Sequence, residues 1–183
     1  TETINQTLYG GLGDPTPYGT IGAATIGFYT PFEEWPEDLK ANFAYDPARA
    51  KQLLAEAGYP NGFKTTLEYA EFNDSDLEYT QVAKDYWAKI GVDVEINIVD
   101  PPTLFTHLNA HTYEGMTWGN RGTNYNPLMF VRIMGYLNEE WNNSGLQDPE
   151  YDAIVEAAEN ASTYEEMQRL VKKADIYYIK LMP

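Results

Sequence analysis

His107 and His111 stand four residues apart and are the only histidines in the chain. On a helix an i, i+4 pair shares one face, and two imidazoles with the Glu114 carboxylate nearby would make three ligands for a divalent metal. The same pair at a helix end is equally what the helix dipole favours without any metal. No third ligand is fixed, so no metal site is expected. Nucleophilic catalysis has little to work with. Cysteine is absent, neither histidine has an evident nucleophile, and no Gly-x-Ser-x-Gly elbow occurs. Gly10-Gly11-Leu12-Gly13 lacks the later glycine, the lysine and the preceding strand of a phosphate-binding loop. The expectation is a protein that binds rather than catalyses, with no cofactor.

The segment Trp118-Gly-Asn-Arg-Gly-Thr-Asn-Tyr125 is better suited to recognition. It combines a stacking ring, amides that donate and accept, and one guanidinium in a chain with only 12 basic residues. It follows an expected strand, which puts it at the carboxyl end, where open α/β sheets bind ligands. Trp118, Asn120, Arg121, Asn124 and Tyr125 are therefore the candidate ligand-binding residues. The alternative is an ordinary Gly/Asn loop with Trp118 tucked into the core.

The elements that must position this loop read as alternating α and β. Glu2 to Tyr9 reads as a helix end, and residues 18–44 as an extended, aromatic connection interrupted by Pro31 and Pro36. Asp46-Pro47 is a cap-then-proline start, followed by Ala50, Leu53, Leu54 and Ala57 at helical spacing and by Gly58 as the stop. Lys64 to Ala70 reads as a strand. A helix from about Asp76 to Ile90 follows, with Tyr79, Val82, Ala83, Tyr86 and Ile90 on one face. Val92, Val94, Ile96 and Ile98 alternate with Asp93, Glu95 and Asn97, which predicts a strand with one buried and one wetter face. Strand, helix, strand within so short a span predicts a parallel pair with a right-handed crossover. A third helix is expected from Pro101 to about Ala110, a third strand over Tyr113 to Trp118, and a short helix around Leu128 to Met134. Asp148-Pro149 opens another helix carrying Tyr151, Ile154, Val155 and Ala158. Thr163 with Glu166 makes a capping box for a last helix bearing Met167, Leu170, Val171 and Ala174. The domain division expected is 1–44, a helix end and connection, and 45–183, an α/β lobe.

Composition narrows the partners. The 183 residues hold 28 acidic and 12 basic side chains, a formal charge of −16. Such a surface repels phosphate backbones and anionic lipid, so neither nucleic acid nor a membrane surface is an expected partner. No run approaches the roughly 18 apolar residues of a membrane span, and the opening residues carry no signal-peptide pattern. Fifteen tyrosines and four tryptophans suit sugar or peptide recognition, or equally a tyrosine-rich core. Four Asn-x-Ser/Thr triplets, at Asn5, Asn73, Asn142 and Asn160, are what chance supplies in an Asn-rich chain.

One long segment carries a resemblance. Tyr45-Asp-Pro-Ala-Arg-Ala-Lys-Gln-Leu-Leu-Ala-Glu-Ala-Gly-Tyr-Pro-Asn-Gly-Phe63 closely resembles the "YDPxKAKxLLxEAGYPdGF" segment of the family 5 extracellular solute-binding proteins of ABC importers. That family contains oligopeptide, dipeptide, nickel and oligosaccharide binders. Gln81 to Ile98 resembles its "xxIGVxVxI" helix and strand, and Leu146 to Asp152 its "dPeyD" segment; the likeness runs from about Ile4 to Pro183. It implies a three-layer α/β lobe, with a parallel or mixed sheet flanked by helices, from a type II periplasmic-binding-protein-like clamshell. The chain would be the carboxyl-terminal lobe, excised from a longer receptor. The implied role is to bind a peptide, oligosaccharide or other small polar solute outside the cytoplasm, in the periplasm or lipid-anchored at the cell surface, and to deliver it to an ABC permease. The alternative is a sensory or protein-interaction module that reuses the lobe without transport. The family's peptide binders carry a "gWxaDYxxP" stretch whose aspartate pairs with the peptide α-ammonium. Here Trp118 and Tyr125-Asn126-Pro127 are present, but Asn124 stands where that acid is expected. The resemblance then favours a saccharide or another neutral polar solute over a free-amine peptide.

Overall fold

Four helices start in the same way. An Asp or Asn side chain accepts from backbone N–H groups of the first turn, and proline occupies the first helical position, where its missing N–H is not needed. Asp46 accepts from Arg49 N at 2.8 Å and opens α3, Pro47–Glu56. Asp100 accepts from Thr103 N at 3.1 Å and opens α5, Pro101–Ala110. Asn126 accepts from Leu128 N and Met129 N and opens α6, Pro127–Gly135. Asp148 accepts from Glu150 N and Tyr151 N, each at 2.9 Å, and opens α7, Pro149–Glu159. The remaining elements are α1 (Glu2–Tyr9), α2 (Glu37–Asn42), β1 (Phe63–Tyr69), α4 (Asp76–Ala88), β2 (Val92–Ile98), β3 (Met116–Trp118) and α8 (Tyr164–Leu181). The computed structural model describes residues 2–72, 76–118, 126–136, 142 and 144–181. The chain divides into two units, Thr1–Pro15 with Ala44–Arg121, and Thr16–Phe43 with Gly122–Pro183.

The first unit is a sheet of three strands in the order β2-β1-β3, every pairing parallel. β1 and β2 run in register from Phe63↔Val92 to Tyr69↔Ile98, as the alternating pattern predicts. The turn Asn61-Gly62 meets Gly91 where these strands begin. Both glycines have positive φ, +74° and +93°, and a Cβ on Gly62 would run into the Gly91 carbonyl. Leu67, Val92 and Val94 form the buried face with Trp87 and Ile90 packed against them. The connection to β3 reverses direction along the sheet, so a right-handed crossover places α5 on the face opposite α4. There Leu104 and Leu108 pack on Ala70. The result is a sheet with helices on both faces.

In this unit three expectations change. The face of α4 is rotated: Thr80 is buried and Trp87 joins the core under Leu67, whereas Tyr86 instead meets Tyr45 edge-on at 5.3 Å. On α3 no residue is buried, and of its leucines only Leu54 packs on the core. β3 is three residues long rather than six. Gly115, at φ +75°, turns the chain where a Cβ would stand 2.6 Å from Thr66 O, and the Thr66 hydroxyl donates to Glu114 O at 2.6 Å. That side-chain bond takes the place of an earlier ladder bond.

The second unit packs α7 against α8, with α6 across both. Val131, Tyr151, Val155, Val171 and Ala174 are inaccessible to solvent, with Ile21 and Phe28 completing the cluster. Residues 18–44, expected to be extended, contain a 3₁₀ turn at Phe32–Glu34 and the short α2. Pro36 starts α2, and Leu39 and Trp35 are buried against Ile179 of α8. Two apolar side chains one turn apart gain more by docking than the extended form would. Glu166 N donates to the Thr163 hydroxyl at the start of α8, one half of the capping box read from the sequence. The Glu166 carboxylate accepts from Ser162 N, one residue before the Thr163 N–H that the full motif would use.

Candidate functional site

The chain moves from β1 to β2 on one side of the sheet and then to β3 on the other. The order therefore reverses between β1 and β3, and in an open parallel sheet that is where a crevice opens at the carboxyl ends of the strands. The two residues paired at this point are Tyr69 and Trp118. Period 2 puts them on the same face as Leu67 and Met116, the face covered by α4.

Trp118 is held among rings. Its indole lies 6.2 Å from Tyr79 of α4 with the planes 29° apart, and 6.0 Å from Tyr69. Tyr79 in turn meets Tyr9 of α1 at 6.1 Å. Despite these neighbours Trp118 remains 37% exposed, so part of the ring is open to stack on something else. Tyr69 is fully buried, and its hydroxyl neighbours Thr80, Glu71 and Asp76 without closing a hydrogen bond of good geometry among the described residues. Burial raises the phenol above its ordinary value, and the Glu71 and Asp76 charges push the same way. Tyr69 is neutral in any ordinary buffer. Asp76 accepts from Phe72 N at 2.7 Å and ties the loop after β1 to the first turn of α4.

Beneath the indole runs a trough of about 510 Å³, lined by Leu67, Ala83 and Trp87 with Met116, Tyr79 and Tyr113 around them. Among the described residues its lining carries no acid, base or imidazole. Its volume is ordinary for a small-molecule pocket.

The opposite face of the sheet is polar. Glu68, only 7% exposed, lies 2.6 Å from Nδ1 of His107 and accepts from Asn97 Nδ2 at 3.3 Å. This contact answers the histidine pair. His107 faces Glu68 across the sheet–helix contact, while His111 is the C-cap of α5 at φ 53° and leaves the helical turn. Among the described residues no three metal-ligating side chains converge.

Of the residues singled out in the sequence, the structure places Trp118 at this crevice. Asn120, Arg121, Asn124 and Tyr125 lie outside the described residues. Sequence reasoning missed Tyr69 and Tyr79 as neighbours of Trp118. Tyr69 was legible only through the β1–β3 register, and Tyr79 only as a member of the α4 face.

Residues 1–143 match the model of the bacterial extracellular solute-binding proteins, family 5 (middle region). Heme-binding protein A of Haemophilus influenzae is 30% identical over 141 residues, which is 74% of this chain and 26% of that protein. The glutathione-binding protein GsiB of Salmonella typhimurium is 34% identical over 88 residues, 48% of this chain and 16% of that protein. Among solved structures, the periplasmic binding protein DppA of Helicobacter pylori, in complex with the peptide STSA, superposes with a TM-score of 0.75 at 22% identity. That superposition covers 97% of this chain and 34% of that one. The chain thus spans about a quarter or less of these curated relatives and about a third of the solved structure.

Proposed function

The chain belongs to the bacterial extracellular solute-binding proteins, family 5, and we propose on that premise that it forms a solute-facing lobe of an ABC importer's receptor, working outside the cytoplasm and handing its solute to a membrane permease. The observation that carries this reading is Trp118, partly exposed and paired with Tyr69 at the carboxyl ends of β1 and β3, where the strand order reverses. The lobe binds and does not transform: the crevice holds rings and an apolar trough, with no nucleophile–base pair among the described residues that line it. Among the described residues of the chain no helix is long and apolar enough to cross a membrane.

The solute is small and polar, a peptide or an oligosaccharide. Trp118 stacks on it, while Asn120, Arg121, Asn124 and Tyr125, which follow β3 in the sequence, supply hydrogen bonds. An amide at Asn124 in place of a carboxylate cannot pair with an α-ammonium, so a neutral solute, a saccharide or a blocked peptide, fits better than a free-amine peptide. Relatives bearing the names heme-binding and glutathione-binding show that this family spans solutes of different charge and shape.

The test is calorimetry on the intact gene product with trialanine, its N-acetylated amide and maltotriose. Binding of one of these, weakened roughly three- to tenfold by Trp118→Ala as one lost aromatic contact requires, supports the site. Full affinity in that variant removes Trp118 from it. Tight binding of trialanine with Asn124→Ala unaffected rejects the argument from the missing acid.

A further inference from the structure

In the observed arrangement the Trp118 indole is exposed over one third of its surface while an apolar trough of about 510 Å³ opens beside it. A strand residue has more than one staggered χ1 available. Rotating the indole into a space without charged side chains would remove its remaining apolar surface from water. What stands against this is Tyr79. Its ring stacks on the indole at 6.2 Å and 29°, lines the same trough, and is itself backed by Tyr9. One turn further along α4 is Ala83, which also lines the trough; its single methyl leaves the trough open.

We infer that Tyr79 is the positioning residue of the solute platform: it holds Trp118 out of the trough, and without it the indole drops in and the stacking face is lost. The inference rests on the reading that Trp118 meets the solute, but the position of the ring is measurable without any solute. The ring of Tyr79 carries the effect, so Tyr79→Phe preserves the platform. Filling the trough from the next turn of α4 does the same by a different route, so Ala83→Phe compensates for the loss of Tyr79.

The experiment uses the intact gene product labelled with 5-fluorotryptophan. The Trp118 resonance is assigned by Trp118→Phe, and exposure is read from its H2O/D2O isotope shift. In the native protein and in Tyr79→Phe the Trp118 line shows a partial isotope shift. In Tyr79→Ala, and in Tyr79→Leu as the variant that keeps apolar bulk on α4, the line moves and its isotope shift disappears. Adding Ala83→Phe to Tyr79→Ala brings the shift back. An unchanged Trp118 line in both Tyr79→Ala and Tyr79→Leu overturns the inference, and so does a line that Ala83→Phe fails to restore. The binding arm uses whichever of trialanine, its N-acetylated amide and maltotriose binds. Tyr79→Ala weakens it about as much as Trp118→Ala does, roughly three- to tenfold, and the double variant is no weaker than either single one. Additive losses mean that Tyr79 touches the solute itself and overturn the positioning role. If the fluorine results hold while Trp118→Ala binds at full strength, the positioning stands and the solute-site reading fails. If Trp118→Ala weakens binding while the Tyr79 variants leave the fluorine line in place, the reverse is true.

Discussion

Asp175 is a carboxyl group 1% exposed on α8, and it fastens the chain near residue 20 to the helices of the second unit. Its Oδ1 accepts from Thr20 N at 2.7 Å, from the Thr20 hydroxyl at 2.6 Å and from Ile21 N at 3.3 Å. Asp175→Ala strands two backbone N–H groups in the interior. At about 1–3 kcal/mol for each stranded buried group, the loss should be about 2–6 kcal/mol, a large part of the roughly 5–15 kcal/mol that a domain has. Asp175→Asn keeps an acceptor oxygen in place without the charge and should cost less than about 1 kcal/mol at neutral pH. Burial holds the carboxyl above its ordinary value of 3.8, against the downward pull of the Thr20 and Ile21 donors. A raised value means that the folded chain binds this proton more tightly than the unfolded chain. The stabilisation from protonation is complete below 3.8 and is lost as the pH rises through the folded value. Urea midpoints of native protein, Asp175→Asn and Asp175→Ala from pH 7 to pH 4 measure this. The 28 acidic residues make every midpoint pH-dependent, so the quantity to follow is native minus Asp175→Asn. It should rise on acidification. A flat or falling difference, or an Asp175→Ala protein as stable as Asp175→Asn, would refute the reasoning.

Gly62→Ala should cost about 2–4 kcal/mol by denaturant titration, because it combines a positive φ with a collision against the Gly91 carbonyl. Leu104→Ala, at a side chain with no solvent exposure under the sheet, should cost about 2–5 kcal/mol in the same assay. Tyr151→Phe removes the buried hydroxyl that donates to Val131 O; that carbonyl belongs to α6 and keeps its helical partner, so the lost bond should cost about 0.5–1.5 kcal/mol, seen as a lower Tm. Asp148→Ala uncaps α7 by removing the acceptor of two N–H groups; about 1 kcal/mol should be lost, and less than that would mean that water replaces the cap.

Much of the fold is legible in the sequence because its signals are local. β2 is an alternation that only a half-buried strand satisfies, and its observed limits, Val92–Ile98, coincide with the reading. The cap-and-proline starts are set by backbone chemistry within four residues, so distant context does not override them. The buried stripe of α7, Tyr151, Ile154, Val155 and Ala158, is also as read, since a helix packed on both α6 and α8 has room for a single broad apolar face. Periodicity fails where two faces compete. On α4 and the turn that ends it, Tyr79, Val82, Ala83, Tyr86 and Ile90 offer as good a stripe as Thr80, Ala83, Trp87 and Ile90, and choosing between them requires knowing where Leu67 lies. α2 was missed because Leu39 and Trp35 are stabilised by Ile179, about 140 residues away in the chain, and nothing local marks it.

The candidate site divides along the same line. That Trp118 ends a strand follows from residues beside it. That this end is a crevice follows from strand order, which no window of sequence contains: β3 might have joined the sheet beside β2, and Trp118 would then have closed an edge instead of facing Tyr69 at the point of reversal. The α5 crossover decides between the two. Leu104 and Leu108 are apolar on the side that meets Ala70, so α5 must return over β1, and a helix returning over β1 delivers the next strand to the far side of it. The apolar side of α5 is in this sense what sets Trp118 opposite Tyr69 at the point of reversal, at a distance of more than ten positions from the segment that holds the polar candidates.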